Sequence, residues 1–173
     1  MLDVLDMSTP VGAPNRITSE PRASVLRVAS VLLPIAAFLH VLEEWFGGFV
    51  ETMARIVQGV TAAQFWILNA VFLAYCMLAA ATYRRRPLLL LAAVALVGIN
   101  ALIHTAAAIV FWGYSPGVFS ALTLYVPLTV WTFRSVLKRG QATAVDTRRA
   151  VLLGAGLMVV PLVVQSIRLL LGL

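Results

Sequence analysis

Long, unbroken apolar runs alternate with short polar connections along most of the chain. Five such runs appear, at roughly 25–46, 61–83, 87–112, 117–137 and 150–171, each close to the about 20 residues that a helix needs to cross the hydrocarbon core of a bilayer. Apolar residues follow one another within each run rather than alternating, which does not suit the strands of a membrane barrel. A backbone in lipid must satisfy its own hydrogen bonds, so helices remain. The pattern predicts an all-α integral membrane bundle of five transmembrane helices, forming a single domain over residues 23–173. Residues 1–22 carry Ser, Pro, Asn, Gly and mixed charges without an apolar core, and predict a flexible tail. The run that follows is too long for a signal peptide, and no repeat or second domain is visible.

Composition agrees with the pattern. Of 173 residues 61% are hydrophobic and 12% charged, with a mean hydropathy of +0.95, whereas a soluble domain is about half apolar. The net charge of +6 is a matter of topology. Arg16 and Arg22 precede the first run and Arg27 stands at its start, Arg84, Arg85 and Arg86 follow the second, and Arg134, Lys138, Arg139, Arg148 and Arg149 surround the fourth connection. Every second connection is thus basic, and only Arg55 and Arg168 fall on the other side. The positive-inside rule makes the basic side cytoplasmic, with the N-terminus inside and the C-terminus extracytoplasmic. Trp45, Trp66, Trp112 and Tyr114 then gather at the outer interface as an aromatic belt. Basicity of this kind gives no face for nucleic acid. Cys76 is the sole cysteine and lies within an apolar run, so disulfides and multi-cysteine metal sites are excluded.

The informative residues are the polar ones inside the apolar runs. At 1.5 Å per residue, His40 lies about 20 Å beyond Arg27 and His104 about 27 Å beyond Arg86, so the only two histidines share a depth in the outer half of the membrane. Glu44 stands one turn beyond His40 on the same helix face, with Glu43 beside it. Asn100 repeats that spacing before His104, and Gln165 reaches a similar level about 24 Å from Arg149. Ionisable groups at such depth are costly unless paired or used. Two adjacent carboxylates with no basic side chain nearby other than Arg168 require protons or a metal ion. Two imidazoles with a carboxylate are a normal ligand set for Zn²⁺ and also suit non-haem Fe(II). His40, Glu44 and His104 are the expected ligands of a divalent metal, zinc ahead of iron. Glu43 is then the general acid/base, or the partner that orients an imidazole.

These residues fall into three motifs, "HVLEE" (His40, Glu43, Glu44), "NALIH" (Asn100, His104) and "YSPG" (Tyr114, Pro116, Gly117). Together they resemble the HXXEE family of prokaryotic integral membrane proteins, described by H-x-x-E-E, N-x-x-x-H and Y-x-P-G-x-x-T. The resemblance covers about residues 30 to 135 and implies a bacterial plasma-membrane protein whose motifs suggest an enzyme. Ser120 stands where the family has Thr, and it keeps the hydroxyl. Ser115, Pro116 and Gly117 also read as an N-cap, a first helical position and a small residue at a helix start. Tyr114 is placed to donate its phenol to a substrate or to join the belt.

The expected function is a membrane metal-dependent hydrolase open to the outer face. It would use Glu43 and Tyr114 in catalysis and Asn100, Ser120 and Gln165 as substrate-binding or supporting groups, on a lipid-like or small amphipathic substrate. Two other readings stay open: a carrier or sensor that binds protons or a metal, and a haem protein with His40 and His104 as axial ligands. No polar track continues through the cytoplasmic half, which speaks against transport.

Overall fold

A computed structural model describes residues 20–56 and 60–171, and every regular element among them is helical. The expected tail lies outside the described residues up to position 19; the first helix, α1 (Glu20–Phe46), starts at Glu20, ahead of its apolar run. A short α2 (Phe49–Ile56) follows, which the run pattern does not show because it is only two turns long. Then come α3 (Ala62–Thr82) and α4 (Pro87–Val110). The chain continues as α5 (Val118–Ser120), a π-helical turn (Ala121–Tyr125) and α6 (Val126–Lys138), and ends in α7 (Ala144–Leu171).

Among the described residues three helical segments are long and apolar enough to cross a membrane: Val25–Phe46, Ala62–Thr82 and Pro87–Val110. The fourth apolar run forms one continuous helical rod over 118–138 with the π-turn inside it. The fifth lies within α7, whose first turns carry Asp146, Arg148 and Arg149. Helix ends are set by local chemistry. Thr61 and Gln64 form a reciprocal capping box at the start of α3, and Pro87 opens α4 where its missing N–H costs nothing. At the start of α7 the Thr143 amide and hydroxyl both donate to Asp146, at 3.0 and 2.8 Å, and hold its carboxyl below the ordinary value.

Helix α4 is central and packs against α1, α3, α6 and α7. The core joins Leu33 and Ala37 of α1, Cys76 and Ala79 of α3, Val94 and Val97 of α4, and Tyr125 of the π-turn. Small residues bring the rods close, as is usual where lipid removes the hydrophobic drive between helices. A Cβ on Gly154 of α7 would lie 2.7 Å from the Leu96 amide nitrogen of α4. Large apolar side chains such as Ile35, Phe38, Ile67, Val71, Leu102 and Ile109 point outward, far more apolar surface than water tolerates on a monomer.

Both α1 and α4 run from the arginine-rich end of the bundle to the opposite end, which fixes His40 and His104 at one level.

Candidate metal centre

Three helical elements supply the centre. His40 and Glu44 stand on consecutive turns of α1, and His104 comes from the last two turns of α4. The α5 start closes over them. The Nε2 atom of His104 lies 3.1 Å from Oε1 of Glu44, and the Nε2 atom of His40 lies 3.4 Å from the same oxygen. One ligand atom from each of the three residues falls within 4.8 Å of the others. All three residues are buried, with 1%, 5% and 5% of the surface of His40, Glu44 and His104 exposed. The two imidazole rings meet edge to face with centroids 4.9 Å apart. His40 Nε2 is buried and has no hydrogen-bond partner.

Glu43 turns elsewhere. Its Oε1 accepts from the Phe119 amide at 3.0 Å and the Tyr114 hydroxyl at 3.2 Å. Its Oε2 accepts from the Ser120 amide at 2.6 Å and also from the Ser120 hydroxyl in a short hydrogen bond. A carboxylate has about four lone-pair sites, and four polar contacts, from Phe119, Tyr114 and the amide and hydroxyl of Ser120, surround this one. The Ser120 oxygen also lies 2.9 Å from His40 Nδ1 and 3.3 Å from the Gly117 carbonyl. Tyr114 is half exposed at the mouth of the centre and stacks on Phe119. Partial burial and the Glu43 charge raise its phenol pKa, so it remains a protonated donor.

Gly117, not Ser115, is the residue that precedes the helix: α5 begins at Val118, and Gly117 adopts a left-handed φ of 92°. The shift has a steric cause. A Cβ at position 117 would stand 2.8 Å from His40 Cε1, 2.9 Å from His104 Cε1 and 3.0 Å from Glu44 Cγ, so the glycine backbone forms the lid over all three side chains.

Asn100 lies one turn before His104; its Oδ1 is buried without a hydrogen-bond partner and it is not part of the three-residue cluster. The side chains of Gln165 and Arg168 lie outside the described residues. Two groups near the centre are not evident from residue patterns. The Tyr125 ring packs 4.5 Å from the His40 ring, fully buried, and its hydroxyl has no partner. The Phe49 ring of α2 sits 6.3 Å from that of His104. An α-helix would place Ser120 and Tyr125 about 140° apart. The π-turn, in which the Val126 amide reaches the Ala121 carbonyl five residues back, brings both to His40. Pro127 cannot donate to the ordinary ladder at this point, which favours the wider turn.

Apolar grooves border α1 on the turns before His40, among them two that are not lined by any of the three clustered residues. One of about 450 Å³ runs between Pro34 and Phe38 of α1 and Met77 of α3. The other, of about 320 Å³, lies between Ala36 and Leu39 of α1 and Thr123, Leu124 and Trp131 on the π-turn and α6.

Comparison with known families adds one match: the model for proteins of unknown function with an HXXEE motif covers residues 31–132, more than half of the chain. The chain belongs to the HXXEE family. The matched region contains His40, Glu43, Glu44, His104, Tyr114, Gly117 and Ser120, that is, every residue of the centre and its immediate supports. No curated protein and no solved structure matches the HXXEE chain at a significant level.

Proposed function

We propose that this HXXEE protein is a five-span membrane protein that binds one divalent metal ion through His40, Glu44 and His104 and acts as a hydrolase on a lipid-like or small amphipathic substrate. One observation carries the reading: the buried His40 Nε2 has no hydrogen-bond partner and lies 3.4 Å from Glu44 Oε1, a buried carboxylate oxygen that also faces His104 Nε2 at 3.1 Å. A cation held by the three residues would satisfy the unpartnered nitrogen and offset the burial of the carboxylate. The donor set, two imidazoles and one carboxylate, suits zinc and leaves coordination positions open. Such an ion supplies a Lewis acid that polarises a carbonyl or phosphoryl oxygen and acidifies water. The protein's own part is to hold the ligands rigid on two helices, exclude bulk water by burial, and keep Tyr114, whose phenol donates to Glu43, half exposed beside the centre. The edge-to-face contact of the two rings leaves no slot for a macrocycle between them, which favours a single ion over haem.

The apolar surroundings support a lipid-like or amphipathic substrate. The groove beside Ala36 and Leu39 is apolar and opens on the outer surface of the bundle, next to the His40 turn. In the five-span topology the centre lies in the outer half of the bilayer, with the Arg84–Arg86 connection cytoplasmic.

The decisive experiment is elemental analysis of protein purified from membranes. About one equivalent of zinc or iron is expected in the wild type and none in His40→Ala or His104→Ala. Metal-free wild-type protein that also fails to bind added Zn²⁺ would overturn the proposal. Topology is tested separately in a Cys76→Ala background: a thiol at Gly113 should react with an impermeant reagent from outside and one at Gly140 only after the membrane is opened.

A further inference from the structure

The adjacent acids of the HXXEE motif hold unlike partners, and the Ser120 hydroxyl links one of them to the metal centre. A serine hydroxyl carries one hydrogen. It has three neighbours: Glu43 Oε2, the Gly117 carbonyl at 3.3 Å and His40 Nδ1 at 2.9 Å. Glu43 receives two backbone amides, one on each carboxyl oxygen, which can only donate to it, and lies 3.2 Å from the Tyr114 phenol besides, so both of its oxygens act as acceptors, as those of a carboxylate do. The carbonyl is an acceptor as well. The Ser120 hydrogen therefore goes to an acceptor oxygen, and the remaining contact closes only if His40 Nδ1 bears the hydrogen and donates to Ser120 Oγ. A neutral imidazole has one N–H. His40 Nε2 is then the bare nitrogen, and it is the atom that faces Glu44 Oε1 inside the cluster.

We propose that Ser120 is a positioning residue that locks His40 in the tautomer with Nε2 free to bind metal, and that Glu43 anchors this relay while Glu44 is the ligand. The inference builds on the metal-centre reading but concerns the chain's own hydrogen bonds. It resembles the outer hydrogen bonds by which metalloproteins fix ligand histidines, whose loss weakens metal binding roughly 10- to 100-fold. The three motifs thereby form one circuit, with Glu43 from the first, Ser120 from the third, and His104 from the second completing the cluster.

The test needs no activity. The chain has two histidines, so protein labelled with ¹⁵N-histidine gives two imidazole spin systems, assigned by their loss in His40→Ala or His104→Ala. Spectra are recorded in detergent or nanodiscs at about pH 8, above the ordinary histidine pKa of about 6.5. His40 is expected to carry its proton on Nδ1 in the wild type and in Ser120→Thr, and to lose that preference in Ser120→Ala. Zinc titration in parallel is expected to show affinity lowered roughly 10- to 100-fold in Ser120→Ala and Glu43→Gln and held within about threefold in Ser120→Thr. A wild-type His40 protonated on Nε2, or Ser120→Ala with unchanged tautomer and zinc affinity, overturns the relay. A wild type with the Nδ1–H tautomer that binds no metal supports the relay and removes the metal reading instead.

Discussion

Glu43 and Glu44 are joined by one peptide bond and serve different elements: Glu44 Oε1 faces the His104 imidazole at 3.1 Å, while Glu43 Oε1 accepts from the Phe119 amide at 3.0 Å. Successive helical residues differ by about 100° in direction, so two neighbouring acids at the end of α1 can meet the central helix and the incoming α5 at once. Glu43 pins the start of α5, and α5 in turn carries Gly117 over the cluster.

The first prediction concerns Glu44. Gln has nearly the same shape but a neutral amide, so Glu44→Gln should leave helical content unchanged and abolish metal-linked stabilisation. At zinc held about 100-fold above its dissociation constant, the wild type should gain about 2.7 kcal/mol and the variant close to none. Thermal unfolding in detergent with and without zinc checks this.

Gly117→Ala should damage the centre from outside the ligand set. The left-handed backbone alone costs a side chain about 1–2 kcal/mol, and the added methyl meets His40, His104 and Glu44 at 2.8 to 3.0 Å. A lower unfolding midpoint and a zinc content well below one equivalent are expected, whereas an unchanged protein would show that the loop yields easily.

Tyr125 separates packing from polarity. Its ring is fully buried against the core, and its hydroxyl lacks a partner. An unmade buried hydrogen bond costs about 1–3 kcal/mol, so Tyr125→Phe should stabilise the fold by about 1 kcal/mol or more. Tyr125→Ala, which empties the space beside His40, should cost about 3–5 kcal/mol. Denaturant or thermal titration of the two variants gives both signs.

The contact between α4 and α7 is tested by a pair of glycines. A Cβ on Gly154 would strike Leu96 N at 2.7 Å and Ala92 O at 2.9 Å, but one on Gly156 would meet nothing within 4 Å. Gly154→Ala should destabilise by about 1–3 kcal/mol through overpacking, and Gly156→Ala should be neutral or gain up to about 1 kcal/mol from helix propensity. Comparison of their unfolding midpoints decides whether the two helices touch along this face.

Much of the site is legible in the sequence. His40, Glu44 and His104 could be grouped because rise along a helix converts sequence distance from the arginine clusters into depth. Ser120 could be suspected from its motif. Capping preferences place the start of α5 at Ser115 because they describe isolated helix ends, whereas the need for a side-chain-free lid sets the boundary at Gly117. Tyr125 was invisible because an ideal helical period turns it away from Ser120, and only the π-turn reverses that. Helix α2 has no signature in the run pattern because two turns lying between apolar runs leave no long period.

What the sequence determined on its own is the set of apolar rods, the basic end of the bundle, and the level at which imidazole and acid groups stand. These depend on composition and on the fixed rise and period of a helix. Tertiary structure decided which glutamate meets the histidines, that a backbone glycine roofs them, and that one serine hydroxyl bridges acid and imidazole. Those outcomes depend on how each rod is rotated against its neighbours and on the path of a short loop, and that rotation is settled by close packing between rods rather than by any period within one.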